Sequence, residues 1–165
     1  MLAEAVAHRG VSLGGSRDAR AWLPYWRVQA QLARADGDPG KALELLTAVP
    51  VDAWRWSDVE AIAIEIERSH ALRQSGRNDE AVQAARRALV SLQSLPTPYS
   101  MPYREAAAWE ALGAAETAFG HREQAHAAYS RAVALRRAHD ADGSQWRADD
   151  ERALASLGKS RVAAR

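Results

Sequence analysis

The chain contains no cysteine, which excludes disulfide bonds and thiolate metal sites. No apolar run reaches the roughly 18 residues that a membrane-spanning helix needs. The first ten residues carry Glu4, His8 and Arg9, so they lack the apolar stretch of a secretory signal peptide. We therefore expect a cytoplasmic protein that neither crosses nor binds a membrane.

Lysine is scarce, occurring only as Lys41 and Lys159, and arginine supplies the other positive charges. The formal net charge is +1, so no long-range field favours nucleic acid or an acidic membrane. Acidic and basic residues are interspersed along the chain, as on solvated helix surfaces. Basic residues do not alternate with aromatic ones along one stripe, and we expect no nucleic-acid partner.

Strand patterns are also nearly absent, whereas good helix formers (Ala, Arg, Leu, Glu and Gln) dominate. One pattern occurs three times: a glycine, four residues of turn and cap, an alanine, and then an apolar helical run. The glycine and alanine pairs are Gly37 with Ala42, Gly76 with Ala81, and Gly120 with Ala125. The glycines are 39 and 44 residues apart. A period in this range, made of helices only, predicts a stacked array of helical hairpins, an alpha solenoid.

Start and stop signals predict eight helices, near residues 2–9, 18–35, 39–49, 58–75, 79–92, 103–119, 122–138 and 145–157. Pro24 suggests that the second of them begins nearer Leu23 than Asp18. Asp38, Ser57, Asn78 and Ser144 are the predicted caps of later helices. We expect an N-terminal helix and linker over 1–15, a repeat domain over 16–157 and a frayed tail over 158–165.

The pair of helices around Gly120 resembles a tetratricopeptide (TPR) repeat. The matching positions are Trp109, Leu112, Gly113, Gly120, Ala125, Tyr129 and Ala132. Glu116 stands where the family has an aromatic residue, and Arg137 where it has the closing proline. The other two pairs match at fewer positions, and their spacing exceeds the family's period of about 34. The chain is similar to the degenerate TPR arrays at the C-termini of bacterial multidomain regulators and Ser/Thr kinases.

The resemblance implies an all-α, right-handed superhelical array of about three TPR-like hairpins with flanking helices. Gly113 and Ala125 are then small because two helices cross closely there. Gly120 adopts a turn conformation that requires a residue without a Cβ. Residues 2–9 would be a remnant of an earlier repeat, and the last helix would cap the array. An unpaired first helix leaves homodimerisation open.

In this family ligands lie in the concave groove formed by the first helix of each pair. Carried over by position, the groove residues are Arg27, Gln31, Arg34, Ile66, His70, Arg73, Glu110 and Thr117. Arginine can bind a carboxylate through two hydrogen bonds, so an acidic peptide is one expected ligand. The alternative is that these residues are merely solvated. The family's chaperone-tail clamp is rejected, because only Arg27 and Gln31 approximate its five positions.

Trp54 and Trp56 lie in a connecting segment, either stapling that segment to the array or serving as exposed anchors for a partner. His121, Glu123 and His126 do not form a metal motif, since histidines five apart do not share a helix face. No phosphate loop or activated nucleophile is evident, so we expect no enzyme activity and no cofactor.

We therefore expect a protein–protein interaction scaffold that binds a peptide or helix in its groove, or that self-associates. The alternative is a sensor domain of a larger bacterial transcriptional regulator or kinase, which would bind a small molecule or signalling peptide. A buried pocket lined by Trp22, Trp26 and Arg27 would favour the sensor, whereas an open, shallow groove would favour the scaffold.

Overall fold

A computed structural model describes residues 16–48, 58–95 and 101–159. This part of the chain is all-α, without strands. Its helices are α1 (Ser16–Ala35), α2 (Pro39–Thr47), α3 (Asp58–Gln74), α4 (Asn78–Ser94), α5 (Pro102–Phe119), α6 (Arg122–His139) and α7 (Gln145–Lys159). The helix predicted over 2–9, the Ser57 cap, Trp54 and Trp56 lie outside the described residues.

Three of the turns between helices have the same backbone geometry. Gly37, Gly76 and Gly120 have φ of 84°, 74° and 89°, the left-handed region that a Cβ disfavours. At the third turn the N–H of Gly120 donates to Thr117 O at 3.1 Å, and that of His121 to Glu116 O at 2.8 Å. The first and second turns repeat both bonds. Each is a Schellman motif, which satisfies the last carbonyls of the preceding helix. The predicted turn conformation of Gly120 is confirmed.

The helix starts confirm some cap predictions and correct others. Asp38 Oδ1 accepts a hydrogen bond from Lys41 N at 2.8 Å, with Pro39 first in α2. Ser144 Oγ accepts one from Arg147 N at 3.3 Å. The Asn78 prediction was wrong, because Arg77 occupies the cap position and Asn78 Nδ2 donates to Ala118 O at the end of α5.

The expected start near Leu23 was also wrong. Helix α1 begins at Ser16 and continues through Pro24. Helix α7 is likewise longer than expected, because it continues two residues beyond the predicted Leu157. Helix boundaries were therefore predicted less well than the helices themselves.

Consecutive helices pack against each other, and α1 and α5 also both contact α3. The apolar core accordingly has two clusters that share α3. The first cluster joins α1, α2 and α3 through Leu23, Trp26, Ala30, Ala42, Leu46, Ile64 and Ala71. The second contains Ile62 and Ile66 of α3 and continues into α4, α5 and α6. Helix α3 is therefore buried on opposite faces and joins the two halves.

Small residues stand where helices approach most closely. The alanines of the repeated pattern, Ala42, Ala81 and Ala125, are fully buried. A Cβ on Gly113 would lie 2.8 Å from the Tyr129 ring, closer than side-chain carbons approach each other. The predicted close crossing of α5 and α6 is thus confirmed. None of the helices in the described ranges is both long and apolar enough to cross a bilayer.

Candidate functional site

A cavity of about 370 Å³ lies on the side of the molecule formed by α1, α3 and α5. Residues from α6 and α7 complete its wall. The structure brings together six of the predicted groove residues there: Arg27, Gln31, Arg34, Ile66, His70 and Glu110. Helical spacing explains this grouping, because residues three, four or seven apart share one helix face.

The other two predicted groove residues do not line the cavity. The hydroxyl of Thr117 donates to Gly113 O at 2.7 Å, so it bonds to the backbone of its own helix, α5. Arg73 is partly buried on α3, and its Nε has no hydrogen-bond partner among the described residues. Its charge nevertheless acts on His70 and Glu110.

Sequence reasoning missed four prominent lining residues: Tyr103, Arg104, Arg136 and Trp146. Arg104 lies two steps of three residues before Glu110 on α5, so helical periodicity could have placed both on the same face. Arg136 and Trp146 enter from α6 and α7, which the family's groove does not include. Only the packing of the last helices places them at the cavity.

The end of the cavity near α1 is basic and internally paired. Arg27 Nε donates to Glu60 at 3.2 Å, and Arg104 reaches the other oxygen of Glu60 at 3.5 Å. Arg34 Nε donates to the buried Glu67. Within the described part of the chain, three guanidinium groups thus share two carboxylates, and this end presents several N–H donors to the cavity.

The opposite end combines a buried ion pair with exposed aromatic rings. Arg136 Nε donates to Asp150 at 2.5 Å, and both side chains are buried. The Arg136 guanidinium also lies 6.0 Å from the centre of the Trp146 ring, which is 68% exposed. Tyr103 remains exposed although its hydroxyl donates to His139 O at 2.8 Å. The two rings give this end an apolar, accessible rim.

Between the two ends, His70 of α3 faces Glu110 of α5, with 3.5 Å between Nε2 and Oε2. Burial, and then the charges of Arg34 and Arg73, lower the pKa of His70 to about 3. Burial, and then the charge of Asp150, raise the pKa of Glu110 to about 7, against three nearby arginines. At neutral pH His70 is uncharged, whereas Glu110 titrates in the neutral range.

The described residues offer binding groups rather than a metal centre. They contain no cluster of three acidic, histidine or cysteine side chains suited to a metal ion. His121 instead directs Nδ1 to the buried Glu116 at 2.7 Å. The described lining of the cavity therefore combines arginine donors with exposed aromatic rings.

Comparisons with protein-family models, with curated proteins and with solved structures returned no match. Arginine donors at one end, a titratable carboxyl in the middle and aromatic rings at the other end define what can be bound there.

Proposed function

We propose that this chain is a TPR-like protein-interaction module whose groove binds an acidic segment of a partner protein. In this proposal the helical hairpins form a right-handed superhelical array. Three turns with the same hydrogen bonds and a small buried alanine after each turn support that arrangement. The contacts of α3 with both α1 and α5 also support it, because they align the first helices of successive pairs.

The main observation behind the proposal is the cavity along α1, α3 and α5, which is lined by six of the groove residues that the TPR resemblance implied. Arg27, Arg34 and Arg104 are held by acidic neighbours before any ligand arrives. Groups that are ordered in advance lose less conformational entropy on binding. A peptide carboxylate can add to this network, while its neighbouring side chains contact the Tyr103 and Trp146 rings.

Two observations favour other functions, a sensor domain and self-association. The cavity volume of about 370 Å³ suits a small molecule and would support a sensor domain. Of the three residues whose pocket would favour the sensor, Arg27 lines this cavity, whereas Trp26 is 6% exposed and belongs to the core. The side chain of Trp22 lies outside the described residues. The exposed Val28 and Leu32, four apart on α1, would support self-association into a homodimer.

Peptide selection followed by titration tests the proposal. We expect peptides selected from a random display library to be enriched in Asp and Glu, and labelled copies to bind in fluorescence anisotropy. Arg104→Gln should weaken binding about tenfold through loss of a charged hydrogen-bond donor. The control Arg77→Gln removes an exposed arginine from the ion pair with Glu80, away from the cavity, and should not change affinity.

Selected peptides without acidic enrichment, or equal losses in both variants, would refute acidic-peptide binding. Small dicarboxylates that raise the melting temperature, in a protein that binds no peptide, would favour the sensor. A mass that doubles with concentration in light scattering, and that falls back in Leu32→Glu, would favour self-association.

A further inference from the structure

Glu110 occupies an unusual place in the cavity, because an acidic side chain lies within a site rich in arginine. Its side chain is 29% exposed, and its carboxylate has no arginine within ion-pair distance among the described residues. The near group is His70 of α3, whose ring is uncharged at neutral pH. Glu110 therefore borders the cavity as a poorly compensated carboxyl.

Charged groups act on Glu110 from several elements. Arg34 on α1, Arg73 on α3 and Arg136 on α6 favour its ionised form, whereas Asp150 on α7 opposes it. Tyr129 of α6 also lies within its electrostatic reach. On α4, Arg86 is engaged with Glu116. Burial raises the pKa of Glu110 more than the three arginines lower it, so protonation of Glu110 costs little free energy near neutral pH.

Protonation of Glu110 changes the charge balance of the cavity and of the residues paired with its lining. The arginines are Arg27, Arg34, Arg73, Arg104 and Arg136. The acids are Glu60, Glu67, Glu110, Asp140 and Asp150. Among these described residues the two sets are equal in number, so their charges balance when Glu110 is ionised and protonation of Glu110 adds one positive charge.

We propose that the cavity binds a carboxylate together with one proton, which Glu110 takes from solvent. This inference rests on the proposed binding of acidic segments. The carboxylate of a bound peptide repels an ionised Glu110. Protonation of Glu110 removes this repulsion at the lowest cost in free energy. His70 is unsuited to accept the proton, because Arg34 and Arg73 already oppose a positive charge on its ring.

Coupled proton uptake predicts that affinity rises as pH falls. The pKa of Glu110 is about 7 in the free protein, and bound carboxylate raises it further. By linkage, the association constant then increases by up to about tenfold between pH 8 and pH 6. Repulsion from Glu110 disappears in Glu110→Gln, which should bind at pH 8 about as tightly as the natural protein does at pH 6.

The test is anisotropy titration of the full chain at constant ionic strength, at pH 6, 7 and 8. The probe is a labelled peptide of Glu and Leu, acetylated and amidated at its ends, so that it has no group titrating in this range. The natural protein should show the affinity increase, and Glu110→Gln should show none. Glu123→Gln, an exposed acidic residue of α6 outside the cavity, should retain it.

Calorimetry supplies a measurement that needs no variant. The heat of binding near pH 7.5 should differ between phosphate and Tris buffers. The difference should be a fraction of the difference between the ionisation enthalpies of the two buffers, because less than one proton is taken up for each peptide bound. Peptide binding with equal affinity at pH 6 and pH 8, or with the same pH dependence in Glu110→Gln, would overturn proton uptake and leave peptide binding intact. Absence of binding at every pH would overturn both proposals.

Discussion

At the scale of single residues, Gly113 sets how closely α5 can approach α6. A Cβ at this position would overlap three ring atoms of Tyr129. We expect Gly113→Ala to lower the unfolding free energy by about 1–3 kcal/mol, because strain from overpacking exceeds the gain in helix propensity. Urea denaturation followed by circular dichroism measures this.

Gly158 provides the matched control for that substitution, since it also lies in a helix, α7, but a Cβ there would meet nothing within 4 Å. Gly158→Ala should be neutral or stabilising by up to about 1 kcal/mol. Equal effects of the two substitutions would show that the Tyr129 contact does not limit the approach of α5 and α6.

Glu110 provides a second prediction at this scale, independent of any ligand. Its folded pKa of about 7 lies above the ordinary value of 4.5, so folding loses stability as pH rises from about 4.5 to 7. Glu110→Gln escapes this loss. Its stability relative to the natural protein should therefore be greater at pH 8 than at pH 5, by about 1–3 kcal/mol.

Chemical denaturation of both proteins at the two pH values gives the comparison. His70 has a lowered pKa, which weakens the fold as pH falls below about 6.5, but this effect is present in both proteins. A stability difference that does not change with pH would mean that Glu110 titrates normally, and it would also remove a support for proton uptake.

At the scale of helices, Glu116 joins α5 to α4. Its side chain is 1% exposed, Arg86 of α4 donates to one oxygen at 2.8 Å, and His121 contacts the other. This charged contact makes the connection between α4 and α5 depend on keeping the buried carboxylate paired.

We expect Arg86→Ala to cost about 1–3 kcal/mol of unfolding free energy, because it leaves a buried carboxylate with fewer partners. Arg77→Ala, which breaks an exposed ion pair with Glu80, should cost less than about 0.5 kcal/mol. Urea denaturation compares them, and Glu116→Gln in the Arg86→Ala background should recover part of the loss. Similar losses from both arginines would contradict the role of Glu116.

At the scale of the whole molecule, the two apolar clusters predict unequal stability along the chain. The first cluster contacts the rest of the protein mainly through α3, whereas the second cluster is more extensive. Leu46→Ala removes a fully buried side chain from the first cluster, which should cost about 2–5 kcal/mol locally.

Hydrogen exchange read by mass spectrometry tests this division. In Leu46→Ala, α1 and α2 should exchange faster while α5 and α6 keep their protection. Leu89→Ala, in the second cluster, should instead accelerate exchange in α4 and α5. Uniform acceleration in both variants would show that the chain unfolds as one cooperative unit.

How much the sequence could predict also depends on scale. The Gly120 turn and the Gly113 crossing follow from local chemistry, and the structure confirms both. Helical periodicity was enough to group Arg27 with Arg34. It could not place Arg136 and Trp146 at the cavity, because their position depends on how α6 and α7 pack against distant helices. The raised pKa of Glu110 likewise depends on burial and on charges from other elements.

The left-handed glycines have a consequence for the chirality of the chain. With φ of 89°, Gly120 occupies the region that is natural for a mirror-image amino acid. D-alanine, introduced there by chemical ligation, would match that backbone and narrow the ensemble of the unfolded chain, stabilising the fold by about 0.4–1 kcal/mol. L-alanine at the same site would destabilise the fold by about 1–2 kcal/mol, because its Cβ disfavours a positive φ. Handedness at one atom would thus reverse the sign of an otherwise identical substitution.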